Sequence, residues 1–253
     1  MKRLLLSLLL LAPAAAHAAL PADELKSPMW EFVADQVFGE GAVVRFDPRV
    51  KVRFPDIAEN QRVFPVEVDA RGIAGVKRMV VIADLNPIQL ALDYSIENAA
   101  PFVATRIKLD QRTPVRGAVQ LDDGSWLVSG GWIDAAGGGC SAPPVSRVKG
   151  DWAQHSGEVR GGLWPHAGGA RLQLSFRHPM DTGFVDNIAT YYIEDLKLSA
   201  SGGKPLGRVK LQASVAEDPV LTLEPAVPAG ESVRFDGRDT NGIEYRGTVE
   251  AGR

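Results

Sequence analysis

Apolar side chains recur at every second position through most of this chain, and that period limits what it can fold into. Val50, Val52 and Phe54 alternate with Lys51 and Arg53. Phe64, Val66 and Val68 alternate with Pro65 and Glu67. Leu172, Leu174 and Phe176 alternate with Arg171, Gln173 and Ser175. A period of two marks strands with one face buried. Further strands are expected over Arg78 to Ala83, Leu90 to Tyr94, Phe102 to Leu109, Val115 to Leu121 and Ser125 to Ser129. In the second half they are expected over Glu158 to Trp164, Tyr191 to Ala200, Leu206 to Leu211, Val220 to Leu223, Ser232 to Phe235 and Glu244 to Val249. Asp122-Asp123-Gly124 is a hairpin turn signal, and Asp236 to Asn241 is turn chemistry. No segment between strands has room for a helical crossover, which argues against a doubly wound parallel sheet. The prediction is an all-β chain of two immunoglobulin-like antiparallel β-sandwich domains. One short helix is expected before them. Between Leu25 and Gly41, Trp30, Phe32, Val33, Val37 and Phe38 follow helical spacing, with Pro28 in the first turn and Gly39 as the stop.

The first 18 residues read as a secretory signal: Lys2 and Arg3, an apolar run from Leu4 to Leu11, and Ala16-His17-Ala18 as the small-x-small cleavage pattern. The run is too short to span a bilayer comfortably. Paired arginines are absent, so export as an unfolded chain is expected rather than the twin-arginine route. The expected location is the periplasm, with no membrane contact once the signal is removed. A formal net charge of -3 gives no basic excess for nucleic acid.

The expected organisation is a signal peptide over 1–18, a first sandwich over 19–135, a Gly/Pro linker over 136–150 and a second sandwich over 151–253. The stretch Ala135-Ala136-Gly137-Gly138-Gly139-Cys140-Ser141-Ala142-Pro143-Pro144, where the linker begins, has no period and little to pack.

Cys140 is the chain's one cysteine, so it has no disulfide partner within it. A lone exported thiol is buried and inert, paired with another protein, or chemically used. Nothing near it in sequence would bury it. Gly138 and Gly139 make a thin, flexible arm without Cβ atoms, and five extended residues reach roughly 17 Å. On the residues alone two readings stay open. Cys140 is the attachment point of a covalent carrier, or it is an incidental linker cysteine.

Weaker signals have plainer readings. His178 before Pro179 suits a turn or interdomain hydrogen bond. Asp181 and Thr182 suit a turn, and Asp56 suits a cap or brace. Arg106 and Lys108, alternating with Ile107, are expected to share a solvent or interdomain face. His155, His166 and His178 lack metal-ligand spacing. Trp126, Trp132, Trp152 and Trp164 flank the linker as core or interface residues. No Gly-x-Gly-x-x-Gly opens a βαβ unit and no Gly-x-Ser-x-Gly elbow is present. No cofactor, no metal and no catalysis by the chain alone are therefore expected.

The sequence resembles SoxY and SoxZ, the two subunits of the SoxYZ sulfur-carrier complex, joined in one chain. It looks most like the fused carriers associated with quinoprotein dehydrogenases. The SoxY resemblance runs through Phe54-Pro55-Asp56-Ile57-Ala58-Glu59-Asn60, Asn86-Pro87, Ala104-Thr105-Arg106-Ile107-Lys108 and Gly138-Gly139-Cys140. The SoxZ resemblance centres on His178-Pro179-Met180-Asp181-Thr182-Gly183. It implies carriage of sulfur intermediates on Cys140, with enzymes of a periplasmic sulfur-oxidation or quinoprotein dehydrogenase system as partners. It also implies pairing of the two halves within the chain. The alternative is a non-catalytic adaptor of a periplasmic quinoprotein dehydrogenase. One departure stands out: a SoxY arm ends at a free carboxyl terminus, whereas Cys140 is followed by a second domain.

Overall fold

The computed structural model describes residues 19–150 and 152–252; the signal expected over 1–18 lies outside them. Alternating burial produces the expected strands. In β3 (Phe64–Asp69), Phe64, Val66 and Val68 turn inward. In β10 (Gly169–Phe176), Leu172, Leu174 and Phe176 do the same. The first half holds β1 (Val44–Phe46), β2 (Lys51–Arg53), β3, β4 (Val76–Ala83), β5 (Leu90–Ile96), β6 (Ala99–Ile107), β7 (Thr113–Leu121) and β8 (Trp126–Ile133). The second holds β9 (Val159–His166), β10, β11 (Ile193–Ala200), β12 (Pro205–Leu211), β13 (Val220–Pro225), β14 (Val233–Asp239) and β15 (Glu244–Val249).

These strands form two sheets that both run through the two halves. One has the order β1-β8-β7-β4-β5-β12-β11-β14-β15 and the other β2-β3-β6-β13-β10-β9. The joins are antiparallel: β5 meets β12 with Tyr94 opposite Val209, and β6 meets β13 with Val103 opposite Leu223. Edge strands leave unpaired amides and carbonyls, and each half satisfies two such edges with the other's. The two sandwiches therefore lie side by side over one continuous apolar core containing Phe64, Leu92, Ile107, Leu174, Leu196 and Leu223. The halves pair within the chain.

Several expectations are corrected. The helix α1 is shorter than the expected span, covering Trp30–Phe38. It starts after Pro28 and stops where Gly39 takes φ +94°. Its apolar stripe packs with Trp126, Val80 and Ile82 on the outer face of the larger sheet, while Phe32 points to solvent. β1 runs parallel to β8, a pairing absent from the sequence pattern. β14 continues through Asp239, so the turn expected at Asp236 begins only after it. The linker is not featureless: Val145–Lys149 forms a short helix, α2; the second half then opens with a 3-10 turn over Trp152–His155 rather than a strand.

Candidate functional site

The site is built around the backbone just beyond β6. Asn86 reaches that backbone twice. Its Nδ2 donates to the Lys108 carbonyl at 2.7 Å and its Oδ1 accepts from the Asp110 amide at 3.0 Å. The Lys108–Asp110 segment so fixed becomes the rail for the glycine arm. Gly138 donates to the Asp110 carbonyl at 3.2 Å and Gly139 to the Leu109 carbonyl at 3.0 Å. The Cys140 amide donates to Asp110 Oδ1 at 3.0 Å. From the other side, Thr182 Oγ1 donates to the Cys140 carbonyl at 2.5 Å. Gln61 Nε2 donates to the Gly137 carbonyl at 2.8 Å and Arg62 to the Pro143 carbonyl at 3.0 Å.

This overturns the expectation of a sulfur standing clear of the fold. Cys140 is 1% exposed. The glycines serve conformation and close approach rather than free motion. Gly137 and Gly138 take φ +95° and +79°, which costs an L-residue on the order of 1–2 kcal/mol. A Cβ on Gly139 would lie 2.8 Å from the Leu109 nitrogen and closer still to the carbonyls of Leu109 and Gln61. Burial pushes the Cys140 thiol up to about 12. The Asp110 carboxylate adds to the rise, and the Lys108 ammonium opposes it. The seated sulfur is thus a neutral thiol.

Arg106 and Lys108 do not share one face: Arg106 takes the solvent alternative and Lys108 the interdomain one. Arg106 faces solvent, but Lys108 is 4% exposed. β6 ends at Ile107, and beyond it the Lys108 amide pairs with the Ser214 carbonyl at 2.7 Å. The Lys108 Nζ donates to the carbonyls of Met180 at 2.5 Å, Ala213 at 2.8 Å and Val215 at 3.0 Å. All three ammonium protons are used, which is what makes a buried lysine tolerable. Burial brings its pKa down to about 8, against the opposing carboxylates of Asp181 and Glu217.

Met180 accepts that bond in a left-handed conformation, φ +50°, unusual for a non-glycine residue. Its amide donates to His178 Nδ1 at 2.9 Å. The His178 proton therefore sits on Nε2, 3.7 Å from Asp239 Oδ2 and without a hydrogen-bond partner among the described residues. Burial lowers the His178 pKa; the Asp239 carboxylate works against it. The ring packs on Tyr191 with centroids 4.3 Å apart.

Beyond the cysteine, the chain is clamped again. The Val145 and Ser146 amides donate to the two oxygens of Glu217 at 2.7 and 2.5 Å. Arg147 pairs through Nε with both oxygens of the buried Asp181 at 2.9 and 2.8 Å, and its guanidinium lies 4.6 Å over the Trp152 ring. The arm is thus held by the first half before Cys140 and by side chains of the second half at its carbonyl and beyond.

Comparison with known families decides what these halves are. The model of the sulfur oxidation protein SoxY matches residues 34–140, ending on Cys140. That of the sulphur oxidation protein SoxZ matches residues 165–250. The chain joins a SoxY domain to a SoxZ domain. Among solved structures, the sulfur carrier protein SoxY from Chlorobium limicola f thiosulfatophilum aligns at 18% identity over 42% of this chain and 94% of its own, with a TM-score of 0.38. A beta-glycosidase from Bacteroides vulgatus aligns at 10% identity over 80% of this chain and 24% of its own, with a TM-score of 0.24. No curated protein matches the sequence.

Most motif segments of the two halves meet at the cysteine. Asn86 and Lys108 arrive from the SoxY half, and Met180, Asp181 and Thr182 from the SoxZ half. The Phe54 to Asn60 segment does not join them. Ile57 is exposed and bridges to Asp134, and only the following Gln61 and Arg62 touch the arm. His155 pairs with Glu158, and His166 with Glu224, so the histidines do not converge. Trp126 is core, Trp132 donates to the Leu25 carbonyl at 2.7 Å, and Trp164 is exposed. Sequence reasoning missed Gln61, Asp110, Arg147 and Glu217. Gln61 and Asp110 had a local signal, lying just past the Phe54 to Asn60 and Ala104 to Lys108 segments.

Proposed function

We propose that the protein is a periplasmic covalent carrier, holding sulfur-containing intermediates on Cys140 and presenting them to partner enzymes. One observation carries the reading: the chain's one cysteine ends the SoxY match and is seated by Thr182 of the SoxZ half. The residues that hold it serve the arm's backbone, and none of the described residues hydrogen-bonds the sulfur itself. Loading requires the arm to leave its seat, because a neutral buried thiol is a poor nucleophile. Gly138 and Gly139 then act as the hinge. The partner enzymes belong to a sulfur-oxidation or quinoprotein dehydrogenase system and supply the chemistry; the carrier performs no turnover alone and needs no cofactor. Residues 1–18 direct export, which cell fractionation tests.

The burial of Cys140 favours a second reading, a non-catalytic adaptor beside a quinoprotein dehydrogenase with a structural thiol. Intact mass of protein isolated without reductant separates the two. A carrier shows sulfur-adduct additions that vanish in Cys140→Ser, whereas an adaptor shows the bare thiol. Bare thiol from cells actively oxidising sulfur compounds would refute the carrier.

A further inference from the structure

A cavity of about 340 Å³ lies on the seam between the two halves, beside the helix that follows Cys140. Seams between domains are where small-ligand sites concentrate, and the volume suits a small ligand. Each part of the chain contributes a cation: Arg106 from β6, Lys149 from α2 and Arg177 from the SoxZ half.

The two carboxylates in the wall are already engaged. Both oxygens of Glu217 accept helix amides. Asp218 accepts from the His178 amide at 2.9 Å and pairs with Arg177. Arg106 and Lys149 have no ion-pair partner among the described residues. Ser146 lines the same cavity at 5% exposure, and its Oγ has no hydrogen-bond partner among the described residues. An unpaired buried hydroxyl is costly, but this Oγ is closed to solvent, so an acceptor reaches it only with a small shift of the cavity wall. The unpaired cations are a planar five-donor guanidinium and an ammonium, a set matched to a small oxyanion.

We infer that this seam cavity is an oxyanion site that seats the sulfonate end of an adduct carried on Cys140. The assignment deepens the carrier reading and rests on it for the source of the anion. Reach permits it: the extended chain from Cys140 to Val145, at the cavity's edge, spans at most ~17 Å. Release of the arm from the Asp110 rail and from Thr182 and Arg62, with α2 left in place, leaves a tether from Val145 long enough to bring the sulfur to the cavity.

Tetrathionate tests this on the whole chain. The Cys140 thiolate attacks an inner sulfur, the central S–S bond breaks, thiosulfate leaves, and Cys140 carries –S–SO3⁻. The lifetime of this adduct against dithiothreitol is followed by intact mass in wild type, Arg106→Gln and Lys149→Gln. Cys140→Ser titrated with thiosulfate by calorimetry isolates binding of the free anion. The expected results are adduct loss roughly tenfold faster in Arg106→Gln, as befits one charge-assisted contact, and saturable thiosulfate binding that Arg106→Gln weakens similarly. Equal adduct lifetimes in all three proteins overturn the inference. If thiosulfate nonetheless binds, the site serves a free anion instead. Tetrathionate loads an accessible thiol whatever its role in the cell, so this outcome is independent of the mass measurement on protein from cells.

Discussion

The seat of Cys140 makes a pH dependence that an exposed thiol cannot show. Seated, the thiol is pushed up to about 12; released, it returns to about 8.5. A disulfide reagent reacts with the released thiolate, so its rate follows the ratio of released thiolate to seated thiol. That ratio rises tenfold per pH unit, and it keeps rising past 8.5. The reason lies in the sign of the shift. A group whose folded pKa is raised stabilises the seated state fully below its released pKa and loses that contribution as pH climbs toward its seated pKa. Removing one arm contact should raise the whole line without bending it. Thr182→Val deletes the hydroxyl that holds the Cys140 carbonyl, worth about 1 kcal/mol, or a ~5-fold gain in released arm. The assay is stopped-flow reaction with an aromatic disulfide from pH 6 to 10, with the urea midpoint measured in parallel. A logarithmic rate that climbs with unit slope through pH 8.5, displaced upward by ~5-fold in Thr182→Val, agrees with a seated arm. A plateau above pH 8.5 in wild type, at the rate of the unfolded chain, would refute it.

Gly139→Ala places a Cβ against the backbone of Leu109 and Gln61. It should expose the thiol, seen as a plateau restored near pH 8.5, while the urea midpoint moves little. Arg147→Ala leaves the Asp181 carboxylate, 1% exposed, without its partner; since Arg147 is itself partly exposed, the cost should sit near the lower end for a broken buried pair, about 3 kcal/mol in urea unfolding. A loss below ~1 kcal/mol would show that water already solvates Asp181. Arg116 is buried between Asp84 and Asp23, with its guanidinium 4.6 Å over the Trp30 ring. Arg116→Met should cost about 3–5 kcal/mol and loosen α1, read as proteolysis within 19–38; intact α1 in that variant would contradict the role given to the cation.

Period two carried the architecture, because strand burial is a property of adjacent residues. What it left unread was set by partners distant in sequence. The glycines before Cys140 looked like freedom, yet their conformation is fixed by Leu109 and Asp110, and the cysteine is closed over by Thr182. Lys108 looked like a partner of Arg106 by alternation, but the ladder ends at Ile107 and the next side chain turns inward toward carbonyls of the SoxZ half. The Gly/Pro stretch permitted pairing of the halves without requiring it. No local pattern could say that β5 would find β12 and β6 would find β13. The motif segments fared better: Asn86, Lys108, Met180 and Thr182 surround the seated arm. Lys108 took the interdomain alternative, and Thr182 keeps its turn bond to the Phe184 amide while also holding the Cys140 carbonyl, which no local pattern showed.

The two shared sheets have a consequence for how such a protein behaves when scarce. Two separately encoded subunits fall apart on dilution, and their ratio depends on synthesis. Here the stoichiometry is one to one by covalent linkage, and the pairing is first order. A single protease cut between Pro143 and Gly150 should change neither elution volume nor sheet content at micromolar concentration, yet it would give Cys140 the loose end it otherwise lacks.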